Sequence, residues 1–533
     1  MFDKLKNIFG RKETSEIVAW ETEESILNFL KNNIQPSGKL NEIAETLPDE
    51  KKGDNEIKWA PGLMDSMFGA DDSENSKARI KTLTNLIKRI AKTGDVTAKS
   101  NFYLEITDND SVIGVIDQFL QKVSEASISI DPHLYDYAFK LATKTKNRNA
   151  VKFGIAILGL CQKEAPLNEI KILGAHDEFT VFSTIAIINL SKNQVSDLWE
   201  LAKKVDGWGR IQLVDRLSEL ELSETITDWL VYEGYQNSIM YEYLALTCVV
   251  KGDLLSKLKQ DIIDDKLYKS AGELIVAMLD EGPAAGISAY DYPVDLIEEF
   301  IKHSTGRSLD ISNYITFNRI KNFLEDSPEE NEILKKWKQD ELSNHLIEID
   351  QIIKSKDWTD EIYKGLSSEN NVEYWNAKQA AKTFGIDLRE TVWNRLHQKP
   401  LDSTSWYDLT NNSKAEDVNK IVDAAIKYLP LSELSTGPSD SLGIGPEYQK
   451  HQSLDFVITY LENHKSKGEE LLIAGLKSPV TRNRNMAIRA LDKWGKEYWT
   501  ENIKNELQYL KRIEPNTDTK ENLIRLINGQ ELK

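Results

Sequence analysis

Asp280, Glu281 and Asp291 bracket a loop of small, turn-forming residues between Gly282 and Pro293, and Tyr290, Tyr292 and Asp295 stand beside them. Two carboxylates are enough to hydrolyse a glycosidic bond, one as general acid and the other as base or nucleophile. The same cluster also suits a task without chemistry, because surface carboxylates speed encounter with a basic partner and reject wrong ones. Among 86 acidic residues chance adjacency is expected. Asp280, Glu281, Tyr290, Asp291, Tyr292 and Asp295 are therefore read as partner-binding residues, and none is assigned to catalysis.

The other reactive side chains form no recognisable centre. The seven histidines are scattered, without the His-Glu-x2-His or paired-Cys spacings of zinc sites. A Gly-x4-Gly-Lys-Ser/Thr loop is missing, and Gly443-Ile-Gly445 lacks the third glycine and the preceding strand of a dinucleotide site. Asp108-Asn-Asp110 opens like a calcium loop, but Ile113 stands where glycine is required and no glutamate closes it, so Asp110 reads as a helix cap. Cys161 and Cys248 lie in apolar helical stretches, where a thiol behaves as a small hydrophobe. The expectation is a non-enzymatic chain with no cofactor and no metal.

Two cysteines exclude a disulfide framework and fit a reducing compartment. No apolar run reaches the roughly 18–20 residues of a membrane span. The opening MFDKLKNIFGRK lacks the features of a secretory signal, so a cytoplasmic location is expected. Its Phe2, Leu5, Ile8 and Phe9 share a helical face beside Lys4, Lys6, Arg11 and Lys12. That pattern suits a membrane surface but is too short for a firm anchor, and a docked terminal helix is preferred.

The net charge of −19 is unevenly spread: residues 101–350 hold 25 Lys plus Arg against 42 Asp plus Glu. Such a section repels phosphate backbones, so nucleic acid is disfavoured and a basic protein partner is expected. One helix runs against the trend, with Lys77, Arg79, Lys81, Lys88, Arg89 and Lys92 between Glu74 and Asp95. A solvated face, or pairing with the acidic middle, is its expected use.

These residues need elements to position them, and the pattern of apolar positions supplies helices. Val151-x3-Ile155-Ala156-Ile157-Leu158-x-Leu160 returns thirty positions later as Val181-x3-Ile185-Ala186-Ile187-Ile188-x-Leu190, the signature of a stacked repeat array. The same phase continues through 209–220, 237–250 and 268–279, with shorter helices around Ile170, Trp199, Ile226 and Leu255. Further helices are expected at 15–33, 75–94, 112–124 and 132–144, and one capped by Ser327 and Pro328 running to 354. No alternating β-branched run appears, so almost no sheet is expected. Trp337, Trp358, Trp375, Trp393 and Trp406, one per helix, are read as gap fillers between packed helices. Four sections are anticipated: 1–73, with a Pro- and Gly-punctuated loop whose apolar core is 57–68; the array 74–293; a less regular 294–446; and 447–533. The loops at 282–293 and 435–446 flank the irregular section.

In the last section EELLIAGLK, 469–477, precedes Ser478-Pro479 and a helix containing Arg484-x2-Ala487-x2-Ala490-Leu491. This resembles the second helix of a HEAT-type repeat, with small alanines for close approach and a basic residue near the start meeting the preceding turn. Residues 151–280 are more loosely similar to the same HEAT-like and armadillo-type α-solenoid superfamily, without most of its first-turn Asp and Arg pattern. The resemblance implies an all-α fold, a curved superhelix of helical hairpins that offers a concave groove to a partner. The expected function is a protein-binding scaffold for a basic partner, in one version an immunity or antitoxin-like protein masking a cationic effector. A helical α/α-toroid enzyme using paired carboxylates is the alternative, and a nucleic-acid-binding HEAT-like protein the minor one.

Overall fold

The computed structural model describes residues 24–50, 74–107, 113–130, 132–161, 163–326, 334–335 and 337–533. The amphipathic segment 1–12, the loop core 57–68, the Asp110 cap and the Ser327–Pro328 helix start lie outside them. Among the described residues the fold is all-α: no strand occurs, only isolated bridges joining Ile34 to Leu40 and Ser441 to Val480. None of their helices is long and apolar enough to cross a membrane.

Two compact units are present, 24–50 with 74–309 and 316–355, and 310–315 with 356–533. The division at 355/356 falls inside the expected 294–446 section. In chain order the helices are α1 (Ile26–Asn32), α2 (Glu74–Thr93), α3 (Val96–Thr107), α4 (Ile113–Glu125), α5 (His133–Lys144), α6 (Arg148–Leu158), α7 (Leu167–Gly174), α8 (Asp177–Leu190), α9 (Gln194–Ala202) and α10 (Gly207–Ser218). There follow α11 (Glu224–Trp229), α12 (Ala245–Lys251), α13 (Leu254–Leu258), α14 (Asp265–Leu279), α15 (Pro293–Lys302), α16 (Ile311–Leu324) and α17 (Gln339–Lys354). The remainder are α18 (Thr359–Leu366), α19 (Asn371–Thr383), α20 (Arg389–Gln398), α21 (Ser403–Asn412), α22 (Val418–Tyr428), α23 (Leu431–Leu434), α24 (Gln449–Leu461), α25 (Glu469–Leu476), α26 (Thr481–Trp494), α27 (Glu501–Ile513) and α28 (Thr517–Asn528).

The thirty-residue phase is set by helix caps as much as by apolar residues. Asn147, His176 and Asp206 stand one period apart, and each accepts a backbone N–H of the long helix it opens, at 3.0, 3.2 and 2.7 Å. Each capped helix packs on the helix before it, in the pairs α5–α6, α7–α8 and α9–α10, and in the last two pairs it is the longer partner. It also packs on the long helix of the next pair, through α6, α8, α10, α12 and α14. Gly154 lets α5 and α6 approach backbone to backbone, since a Cβ there would lie 2.5 Å from the Ala142 nitrogen.

The matched residues do not share one environment. Ile155 is fully buried while its counterpart Ile185 is 41% exposed. The difference comes from the neighbours: α3 and α4 cover α6, and Phe102, Phe119 and Phe153 meet there with ring centres 5.4–5.8 Å apart.

Three expected helices begin later than their apolar patterns suggest. Ser25 is extended and accepts the Asn28 N–H at 3.3 Å, so α1 starts at Ile26 and is not part of one helix over 15–33. The helix expected from 237 starts at 245, because the Asn237 carboxamide binds the N–H groups of Ile239 and Met240 and holds a turn instead. The helix expected to run unbroken to 354 starts at Gln339. Lys338 is extended, and Trp337 leaves the helical path to bury itself beside Phe323.

In the second unit the pairs α18–α19, α20–α21 and α25–α26 form, and α21, α24, α26 and α28 pack in succession. Trp358, Trp406 and Trp494 are fully buried. The indoles of Trp406 and Trp494 donate to the Pro400 and Leu461 carbonyls, both at 2.8 Å, so their polar atoms are satisfied. Arg484 of α26 lies fully buried, donating to both carboxylate oxygens of Glu514 at 2.7 Å and to the Ser478 and Pro479 carbonyls at 2.9 and 3.0 Å.

One junction in the first unit is pH-sensitive. The Asp177 carboxylate at the start of α8 accepts the Trp208 and Gly209 N–H groups of α10, in a space that exists because residue 209 has no Cβ. Desolvation pushes its pKa up to about 7, aided by Asp206 and opposed by those N–H groups and by Arg210. A carboxyl with a raised folded-state pKa favours the fold while protonated, and that contribution is lost as pH rises from the unfolded value, about 4, through about 7. Denaturation midpoints between pH 4 and 8 should therefore fall less steeply in Asp177→Asn than in the wild type. Parallel profiles would contradict this assignment.

Candidate functional site

The loop after α14 is closed by its own carboxylates. Asp280, at the end of α14, forms an ion pair with Arg319 of α16. Glu281, held at φ +53°, accepts the Ser288 N–H at 2.7 Å on one oxygen and the Ser288 hydroxyl at 2.6 Å on the other. Gly286 and Ile287 are buried beneath this clasp. Asp280 and Glu281 are thus engaged in holding the loop shut.

The remaining four sequence-derived residues come together beyond the clasp. Tyr290 is buried and Tyr292 is 57% exposed, with ring centres 6.1 Å apart and planes at 79°. Asp291 and Asp295 are exposed, and Pro293 starts α15 between them, its fixed φ suited to a first helical turn. The structure adds Asp253, exposed at φ +51° in the turn between α12 and α13. Asp253, Asp291 and Asp295 form no ion pair among the described residues. Burial, followed by the charges of Asp253 and Asp295, then Tyr292 and Asp291, pushes the Tyr290 hydroxyl up to about 12. It therefore stays a neutral donor and acceptor beneath three carboxylates.

The second loop, 435–446, laces itself to the turn between α25 and α26. Gly437 N–H donates to the Lys477 carbonyl, the Ser439 hydroxyl to Pro479, and Thr481 N–H to Ser441, each at 2.9 Å. Val480 occupies the cap position of α26, and Ser478, two residues earlier, accepts the Val480 N–H on its Oγ at 3.1 Å while donating to Asn483 at 2.8 Å. Leu442 and Ile444, 38% and 55% exposed, border a groove of about 780 Å³ together with α26, α28 and residues 531–533.

The Cys248 thiol is buried and its pKa pushed up by desolvation, so it is not a nucleophile at neutral pH. No three His, Cys, Asp or Glu side chains converge as metal ligands among the described residues. In the basic helix α2, Arg79 meets Glu105 at 3.5 Å and Arg89 meets Asp95 at 2.6 Å, while Lys81, Lys88 and Lys92 face solvent. Of the tryptophan series, Trp337, Trp358, Trp393 and Trp406 are buried between helices as expected. Trp375 is the exception, half-exposed on α19.

No family model, curated protein or solved structure matches the chain.

Asp253 lies 38 residues before Asp291, and no local signal connects the two. Only the helical period, which returns the chain to the same edge, could have suggested it. If Glu281 clasps the loop, Glu281→Ala should raise hydrogen exchange at the Ser288 amide by about tenfold or more, the loss of a charge-assisted hydrogen bond. Unchanged exchange would show that the loop is held otherwise.

Proposed function

We propose that this protein is a non-enzymatic scaffold, an α-solenoid of HEAT-like helical pairs, that binds a basic protein partner in the cytoplasm. The observation that supports it is the acid and tyrosine patch. Asp253, Asp291 and Asp295 present three carboxylates without a cation of their own, around Tyr290 and the exposed Tyr292. Unpaired surface charge of one sign is costly to assemble through self-repulsion, and a cationic partner relieves it. An immunity or antitoxin-like protein that masks a cationic effector is one form of this reading. Asp280 and Glu281, the carboxylates a glycan-hydrolysing alternative would use, are engaged by Arg319 and Ser288.

The test begins with affinity purification from the native cell and continues with the purified partner. Its affinity should fall about tenfold or more between about 50 and 500 mM salt, because exposed charges are screened beyond a Debye length. Replacing Asp253, Asp291 and Asp295 by Lys should have an effect of similar size. Binding that is indifferent to both salt and charge reversal sinks the proposal.

A further inference from the structure

The acidic edge of α15 does not end at Asp295. One turn further on, Glu298 lines a cleft of about 670 Å³ between α15 and α17, and Glu348 lines the same cleft from α17. A volume of that order holds a small organic molecule or a long side chain, and far exceeds what a bare ion fills. Both carboxylates are exposed, and neither makes an ion pair or a hydrogen bond among the described residues. The cleft therefore contains two unmatched negative charges, contributed by two different helices.

The cations beside them are already engaged. Lys302 pairs with Glu299 at 3.1 Å. Arg307 commits all three of its nitrogens: Nε donates to the His303 carbonyl at 2.9 Å, and the other two bind the Asp265 carboxylate and the Ile263 carbonyl. Its guanidinium also lies over the Tyr268 ring, 4.7 Å from the centre. An anionic ligand would have to displace a carboxylate or a carbonyl from these groups, whereas a cationic one meets Glu298 and Glu348 directly.

The hydroxyls of the cleft point to the same ligand chemistry. Ser304 and Ser355 donate to the Ile301 and Ile352 carbonyls, both at 2.7 Å. A hydroxyl has one hydrogen, so these two present only lone pairs to the cleft, while Thr305 and Gln351 can serve as donor or acceptor. A lining this rich in acceptors needs a ligand that brings donors, and an ammonium group brings three hydrogens and no acceptor. Ile301, Leu309 and Ile352 add an apolar wall, which a hydrated metal ion cannot use and an alkyl chain can.

We infer that the cleft between α15 and α17 binds an alkylammonium group, its head between Glu298 and Glu348 and its methylene stem along Ile301, Leu309 and Ile352. A free aliphatic polyamine and a lysine side chain of a partner both carry that group. The full-length chain should be titrated at constant ionic strength with spermidine and with an end-capped Gly-Gly-Lys-Gly-Gly peptide, and with magnesium chloride and butanediol as controls. Saturable binding of an amine is expected, weakened roughly fivefold by Glu298→Gln and by Glu348→Gln and unchanged by Asp253→Asn. Both glutamates are exposed and unpaired, so neither substitution disturbs folding. The tighter of the two amines identifies the source, polyamine or partner lysine. No partner protein enters the titration, so its outcome is separate from that of the acidic patch. Binding that both glutamine variants retain, equal affinity for magnesium, equal binding of butanediol, or no saturation by either amine up to about 1 mM would each overturn the inference.

Discussion

Polar cross-links set about one helical period apart recur along both units. In the first unit Lys152 reaches Glu178 at 2.6 Å, Lys171 reaches Asp197 at 2.9 Å, Tyr232 reaches Asp264 at 2.9 Å and Lys321 reaches Asp350 at 2.6 Å. In the second, Lys378 reaches Asp408 at 2.7 Å, Arg482 reaches Asp455 at 2.5 Å, and Arg484 reaches Glu514 at 2.7 Å. Apolar burial is non-directional, so by itself it would let one helical pair slide or rotate against the next. A charged hydrogen bond has a fixed length and angle, and a row of them sets the register between neighbours. The exposed members contribute little to stability, whereas the buried Arg484–Glu514 pair cannot lose one partner cheaply.

The same cross-links bear on how the acidic charge is used. Part of the negative charge between 101 and 350 is matched across neighbouring helical pairs, because Glu178, Asp197, Asp228 and Asp350 meet lysines there, while Asp264 and Glu273 accept tyrosine hydroxyls. The carboxylates left without cations then acquire meaning from their position. Asp253, Asp291 and Asp295 gather where two tyrosines meet, and this local excess, more than the total of −19, is what a basic partner would meet.

Long helices with clear apolar stripes were legible in the sequence: α4, α5, α6, α8, α10 and α14 lie within a few residues of their expected spans. So was the gathering of Tyr290, Asp291, Tyr292 and Asp295, which depends only on a short loop and one proline-started helix. Illegible features came from groups distant in sequence. Ile185 is exposed where Ile155 is buried because α3 and α4 cover only one of the two helices. Trp375 differs from the other tryptophans of its series because it stands beside Lys378 on an outward face, and spacing alone does not distinguish the two sides of a short helix. Asp253 joins the patch through a helical return that no local motif announces.

The most direct test of these cross-links is a double-mutant cycle on Arg484 and Glu514 in the full-length protein, read by native-state hydrogen exchange at the amides of α26 and α28. Arg484→Met and Glu514→Gln should each cost about 3 kcal/mol or more, because either leaves a buried polar group without its partner. The double variant should cost clearly less than the sum, with a coupling above about 1 kcal/mol. Additive losses, with coupling below about 0.3 kcal/mol, would show that apolar packing alone sets the junction and would contradict the account.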